Sequence, residues 1–244
     1  MSEQVTRGNL PHWYRPGFAH FVTYRLAGSI PNEVLRELRD EYSARLKSRP
    51  PAGMDRAEHK AKVHRFMFGK YDRVLDGQAA ISWLADARLA QIVRENLYHH
   101  HGTKYELLAY CIMPNHVHAV LQPLEGVVAA VGDAASVAEQ LETPDRYSVL
   151  SKIMHSLKSY TANRANELLG RSGVFWQKES YDHWIRDADE LERIVAYVAS
   201  NPVKAGLCDQ SRRWQFSSAY DRYQRDGSES ALVGWLRDDW RTTP

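Results

Sequence analysis

Cysteine is scarce: the chain has two, Cys111 and Cys208, in 244 residues. That excludes a disulfide framework and a CxxC metal motif. Cys111 falls in an apolar run and reads as a small core residue. Long hydrophobic runs are missing too, since no stretch approaches the ~20 apolar residues that cross a bilayer. The opening MSEQVTRGNLPHWYRPG has no apolar segment of the secretory kind. A cytoplasmic protein without membrane contact is the expectation. Charge of one sign is also lacking, because 32 Lys and Arg against 30 Asp and Glu leave a net +2. A nucleic-acid partner is compatible with that balance but not demanded by it, so any basic footprint must be local.

Histidine and tyrosine are plentiful, with 11 and 13 residues. Several stand in ordered places. His20 to Leu26 alternates and is rich in β-branched and aromatic residues, which predicts a strand. Asn32 reads as the cap of a helix reaching Lys47. Residues 48–78 are basic and punctuated by Pro50, Pro51, Gly53, Gly69 and Gly77, and read as an excursion with short helical pieces. A helix from Ser82 to Tyr98 follows, then two strands, Tyr105 to Tyr110 and His116 to Leu121, joined antiparallel around Pro114. Residues 123–145 read as a surface loop. Helices are predicted for Ser148 to Leu169 and for Asp187 to Ser200, the latter stopped at Pro202, with an extended aromatic segment, 174–185, between them. Helices alternating with antiparallel strands give an α+β class, one sheet with helices packed on it. Residues 1–222 are taken as one domain with insertions near 48–78 and 123–147, and 223–244 as a C-terminal tail.

In a strand, residues two apart share a face. His116 and His118 therefore present two imidazoles side by side while Val117 points the other way. That spacing suits two neighbouring ligands on one divalent metal, and imidazole accepts several first-row ions. A pair of hydrogen-bonded structural histidines fits the same pattern. The run His99-His100-His101 cannot share one face and reads as a solvated helix terminus, where cations are favoured.

On the last long helix Leu191, Ile194, Val195 and Val198 form the apolar stripe, and Tyr197 and Asn201, four apart, emerge on one side. A core-flanking tyrosine and a capping asparagine account for that arrangement. A phenol beside a hard oxygen donor also suits nucleophilic phosphoryl transfer, because tyrosine, at its ordinary pKa of ~10, needs a nearby cation to become reactive. Two histidines and one amide oxygen make a three-point site with positions left for substrate.

These residues carry a resemblance. His116-Val117-His118, preceded by Cys111-Ile112-Met113-Pro114-Asn115, is similar to the HUH motif of single-tyrosine transposases. Tyr197-Val198-Ala199-Ser200-Asn201-Pro202-Val203-Lys204 resembles the Tyr-x-x-x-Asn-Pro-Val-Lys segment of REP-associated tyrosine transposases. Asn9-Leu10-Pro11-His12-Trp13, Phe175-Trp176-Gln177, Asp182-His183-Trp184-Ile185-Arg186-Asp187 and Trp214-Gln215-Phe216-Ser217-Ser218 extend it from about residue 8 to 220. The resemblance implies a ferredoxin-like (RRM-like) sheet, Mg²⁺ or Mn²⁺ held by His116, His118 and Asn201, and Tyr197 as the nucleophile. It implies action on single-stranded DNA from hairpin-forming repeats, through a 5′-phosphotyrosine intermediate, by a monomer.

Tyr160 is a rival nucleophile, but its +4 neighbour is Arg164, which cannot ligate a metal. Lys152, Lys158, Arg164 and Arg171, with Lys204, are candidate phosphate contacts, and Trp176 and Trp184 candidate stacking platforms. A solvated helix face and a packed core explain the same residues. Two other functions share these motifs: a domesticated hairpin-binding protein that does no chemistry, and a metal-dependent phosphodiester hydrolase that uses water.

Overall fold

A computed structural model describes residues 4–7, 11–15, 17–77, 81–124 and 148–227. Four strands, β3 (His20–Arg25), β4 (Tyr105–Ile112), β5 (His116–Pro123) and β6 (Tyr181–Trp184), form a sheet in the order β4-β5-β3-β6. Every neighbouring pair is antiparallel. Two short strands, β1 (Gln4–Arg7) and β2 (Pro11–Tyr14), pair separately. Helices α1 (Asn32–Lys47), α2 (Arg56–Asp76) and α3 (Ala87–His99) connect β3 to β4, and α4 (Val149–Leu168) precedes β6. This is the split βαβ-βαβ arrangement of a ferredoxin-like sheet. Helices α5 (Ala188–Lys204) and α6 (Ser218–Asp226) follow. The class is α+β, as expected.

The two sheet faces divide the core. One carries Val22, Tyr24, Val117, Ala119 and Leu121 and packs on Leu89, Val93 and Leu97 of α3 and on Leu150, Ile153 and Leu157 of α4. The other carries Phe21 and Val120 and packs on Leu191, Val195 and Val198 of α5. The alternation of β5 puts His116 and His118 on this second face. A bulge between Leu107 and Ala109 lets β4 serve both layers. Leu107 and Tyr110 belong to the first layer, Leu108 and Ala109 to the second.

Three sequence expectations change. Residues 48–78, read as short helical pieces, hold one 21-residue helix, α2. Asp55 caps it by accepting from Glu58 N at 2.8 Å, and its buried His59, Val63, Met67 and Leu75 keep helical spacing. Val63 and Met67 pack with Leu38 of α1. The charged outer face had masked that stripe. Second, Asn32 begins α1 without capping it; Pro31 is the cap residue and makes no side-chain bond. Third, α5 passes through Pro202 to Lys204. Proline removes one backbone donor, but Ala205 N donates to Asn201 O at 3.0 Å and Leu207 N to Pro202 O at 2.9 Å, which preserves the final turn. Gly206, at φ +69, takes the left-handed turn that ends it. The loop expected at 123–145 lies outside the described residues from 125 onward. No described helix is long and apolar enough to cross a membrane.

Leu157 is 2% exposed and Tyr160, one turn on, is 52% exposed. Leu157→Ala is expected to cost roughly 2–5 kcal/mol, and Tyr160→Ala to stay within about 0.5 kcal/mol, by urea unfolding. His20 is fully buried, and burial lowers its imidazole to about 3. The unfolded chain therefore binds a proton near pH 6.5 that the folded chain refuses. Stability should fall as pH drops from about 6.5 toward 3, by about 1.4 kcal/mol per pH unit for this group. Unfolding midpoints that stay level across that range would contradict it.

Candidate active site

His116 and His118 are fully buried, and their Nε2 atoms face each other at 3.0 Å. The surrounding hydrogen bonds set the ring orientation. Asn115 Nδ2 donates to Leu75 O at 2.7 Å, so its Oδ1 is the atom facing His116 Nδ1 at 2.6 Å. His116 therefore carries its proton on Nδ1 and points a lone pair from Nε2 into the cluster. Burial, then the neighbouring His118, lowers this imidazole far below its usual range, which keeps it neutral. His118 is held from behind by Thr23 Oγ1, 2.8 Å from its Nδ1, because Thr23 and His118 are register partners on β3 and β5.

Two helices complete the cluster. From α5, Asn201 Nδ2 lies 3.2 Å from His118 Nε2 and 3.3 Å from the Tyr197 hydroxyl. From α2, Asp72 Oδ1 approaches His118 Nε2 to 3.2 Å, while its Oδ2 accepts the Tyr197 O–H. The Tyr197 ring stands 5.6 Å from the His118 ring, centroid to centroid. The phenol nominated from sequence and the paired imidazoles thus share one site.

The donor set fits a divalent cation. One ligand atom each from Asp72, His116 and His118 lies within 4.8 Å of the others. Two imidazole nitrogens that would each lie ~2.1 Å from one ion can stand about 3 Å apart, and these stand 3.0 Å apart. Asp72 Oδ1 and Asn201 Oδ1 are buried without a hydrogen-bond partner, two oxygen acceptors in want of a positive charge. Rotating the Asn201 amide exchanges its nitrogen and oxygen, which would turn the oxygen toward the histidines.

Charge in the cluster is finely divided. Burial pushes the Asp72 carboxyl up, but His118 and the Tyr197 hydroxyl outweigh it and hold the group below the usual carboxylate range. One turn on, burial and the Asp72 charge raise Asp76 to about 6. Burial, then the Asp72 carboxylate, pushes the Tyr197 phenol far above its ordinary value. The resting hydroxyl is protonated.

Other nominated residues fall elsewhere. Helix α4 covers the opposite sheet face, so Lys152, Lys158, Arg164 and Tyr160 are on the far side of the sheet from the histidines. Lys158 Nζ donates to the carbonyls of Gln177 and Lys178 at 3.2 Å each. Arg164 pairs with Glu167, and Arg171 stacks 4.0 Å over Trp83. Trp176 is core, its Nε1 donating to Thr161 Oγ1 at 2.8 Å, and Trp184 packs edge-on against Phe18. Lys204 does reach the site, its Nζ 4.7 Å from the centre of the Tyr197 ring. In the histidine run, His101 lies 3.2 Å from Glu106, and His100 is buried rather than solvated. Asp72 was missed in the sequence because its helix was missed. The Asp55-x-x-Glu58 start and the 59–63–67 spacing were the available signals.

No family model matches the chain. A Haemophilus influenzae protein named "Putative REP-associated tyrosine transposase" is 26% identical over 123 residues, 47% of this chain and 58% of that protein. The chain is similar to a REP-associated tyrosine transposase. A second H. influenzae relative, named "Uncharacterized protein", is 28% identical over 97 residues, 38% of this chain and 52% of its own length. A solved "Structure of the REP associates tyrosine transposase bound to a REP hairpin" aligns with a TM-score of 0.46 and 16% identity, over 88% of this chain and 84% of that one. The chain spans a little over half the length of the curated relatives it matches.

Asn115 ties the end of α2 to the strand that bears the histidines, so its loss strikes both. Asn115→Ala should weaken Mn²⁺ binding about 10- to 100-fold, as expected for a residue that orients a ligating histidine. It should also cost roughly 1–3 kcal/mol of stability. Titration of free Mn²⁺ by electron paramagnetic resonance, beside urea unfolding, measures each effect.

Proposed function

We propose that this chain is a metal-dependent tyrosine transposase-type enzyme, a DNA nickase and ligase that cuts and rejoins single-stranded DNA at hairpin-forming repeats, with Tyr197 as nucleophile. The supporting observation is the run of close contacts from the Tyr197 phenol, which donates to Asp72 Oδ2, to Asp72 Oδ1 and His118 Nε2, 3.2 Å apart. A phenol, a carboxylate and paired imidazoles gathered this closely are the groups that attack on one phosphate would need. The repeat enters the reading through the name of the H. influenzae relative and the shared motifs.

His116, His118 and Asn201 would hold Mg²⁺ or Mn²⁺, with Asp72 as an anionic neighbour. A bound cation of this kind supplies polarisation of the phosphate and neutralises its charge. The protein's own steps follow from the hydrogen bonds. The protonated Tyr197 hydroxyl hands its proton to Asp72 as Oη attacks phosphorus. The bond from phosphorus to the 3′-oxygen breaks, and that oxygen leaves and takes up a proton. The products are a 5′-phosphotyrosine and a free 3′-OH. In reverse, a 3′-OH attacks the phosphotyrosine, the phenol is restored and the strands are rejoined.

The full chain with Mn²⁺ and a labelled single-stranded hairpin oligonucleotide should form an adduct that survives denaturing electrophoresis. Tyr197→Phe should abolish it, Tyr160→Phe should keep it, and His116→Ala should weaken it greatly. Cleavage without an adduct that persists in Tyr197→Phe would mean a hydrolase using water. Hairpin binding with neither cleavage nor adduct would mean a non-catalytic binding protein.

A further inference from the structure

A groove reaches Tyr197 at the edge of the cluster, and its walls are the helix stripes that carry Asp72, Tyr197 and Asn201 further along. On α2, Ala61, Arg65 and Phe68 precede Asp72 at helical spacing; on α5, Arg193 and Ile194 precede Tyr197 and Asn201. The floor is Phe21 of β3 with Tyr181 and His183 of β6. Phe68 and Tyr181 stand 4.5 Å apart, and each lies near Phe21, at 5.4 and 6.2 Å. The recess thus combines an aromatic floor with a cationic rim.

The basic residues of the rim differ in their commitments. Arg186 and His183 both engage Glu190, at 2.9 and 3.1 Å, and His64 is hydrogen-bonded to Tyr42. Arg65 and Arg193 are exposed and have no ion pair among the described residues. Asp182 alternates to the other sheet face, where it adds to the field at Lys158. Phosphate contact by exposed arginines and base stacking on aromatic rings is the chemistry of single-strand binding. A duplex keeps its bases paired and stacked, out of reach of a floor recessed between two helices.

We propose that this groove between α2, β6 and α5 binds the single-stranded DNA segment leading to Tyr197, with Arg65 and Arg193 on its phosphates and Phe68 and Tyr181 beneath its bases. The proposal rests on the functional reading above and names the surface that serves it. It moves the strand path from α4 to the opposite side of the sheet.

The test is fluorescence anisotropy of the full chain with a short single-stranded DNA at several salt concentrations. The variants are Arg65→Ala, Arg193→Ala, their double, and Lys152→Ala with Arg164→Ala for α4. Thermal unfolding checks that each variant folds. Each groove substitution should weaken binding several-fold and reduce the log–log salt slope by about 0.7, the value for one lost single-strand phosphate contact. The α4 variants should bind like the parent, and a duplex of the same sequence should bind more weakly. A folded double variant that binds like the parent overturns the proposal, as does a loss confined to the α4 variants. A duplex bound as tightly and through the same arginines would also overturn it. Adduct formation is read separately: groove-dependent binding without an adduct sinks the enzymatic reading and leaves the groove, whereas an adduct with unchanged binding in the groove variants does the reverse.

Discussion

Two imidazoles held 3.0 Å apart with no exposure to solvent set the terms for everything else on that side of the sheet. Buried polar groups must find partners or a charge, and here the two rings meet four other residues besides each other. The β4–β5 turn supplies Asn115, β3 supplies Thr23, α5 supplies Asn201, and α2 supplies Asp72. The cluster is therefore the point at which four segments, far apart in sequence, are fastened together. Removing one partner leaves the others desolvated, which is why a substitution such as that at Asn115 reaches beyond its own contact.

The legible part of this site was the part set by local geometry. Strand alternation predicts that His116 and His118 share a face whatever the tertiary structure, and the four-residue step predicts the same of Tyr197 and Asn201. Bringing the two pairs together is a matter of topology. It follows once the crossovers from β3 to β4 and from β5 to β6 put α3 and α4 on one face, as their handedness favours, and leave the other face to α5. The same reasoning shows why sequence alone could not place the basic residues of α4 relative to the histidines. Amphipathicity says that Lys152 and Arg164 face outward, but not which side of the sheet their helix covers.

Asp72 was illegible for another reason. Its helix is rich in Lys, Arg and His, contains Gly69, and follows Pro50, Pro51 and Gly53, so local composition argued for irregular chain. The helix is secured by tertiary packing, with Val63 and Met67 against Leu38 of α1. Such packing routinely outweighs intrinsic propensity. The residue that links the phenol to the imidazoles thus came from the segment that looked least ordered.

The electrostatics of the cluster bear on how its parts divide the work. Asp72 is kept charged by its neighbours, while Asp76, four residues on, is pushed up to about 6 by burial and by Asp72 itself. His116 is kept neutral, so it does not cancel the buried carboxylate. A desolvated negative charge beside a protonated phenol is a poor resting state for nucleophilic attack, because the same carboxylate that can accept the proton also discourages formation of the phenolate. A divalent cation among these donors would reverse that balance. It would offset the carboxylate, engage the orphaned oxygens of Asp72 and Asn201, and favour the anionic form of Tyr197. The arrangement is better matched to a site completed by a cation than to a structural core, where neutral side chains would serve the packing at lower cost.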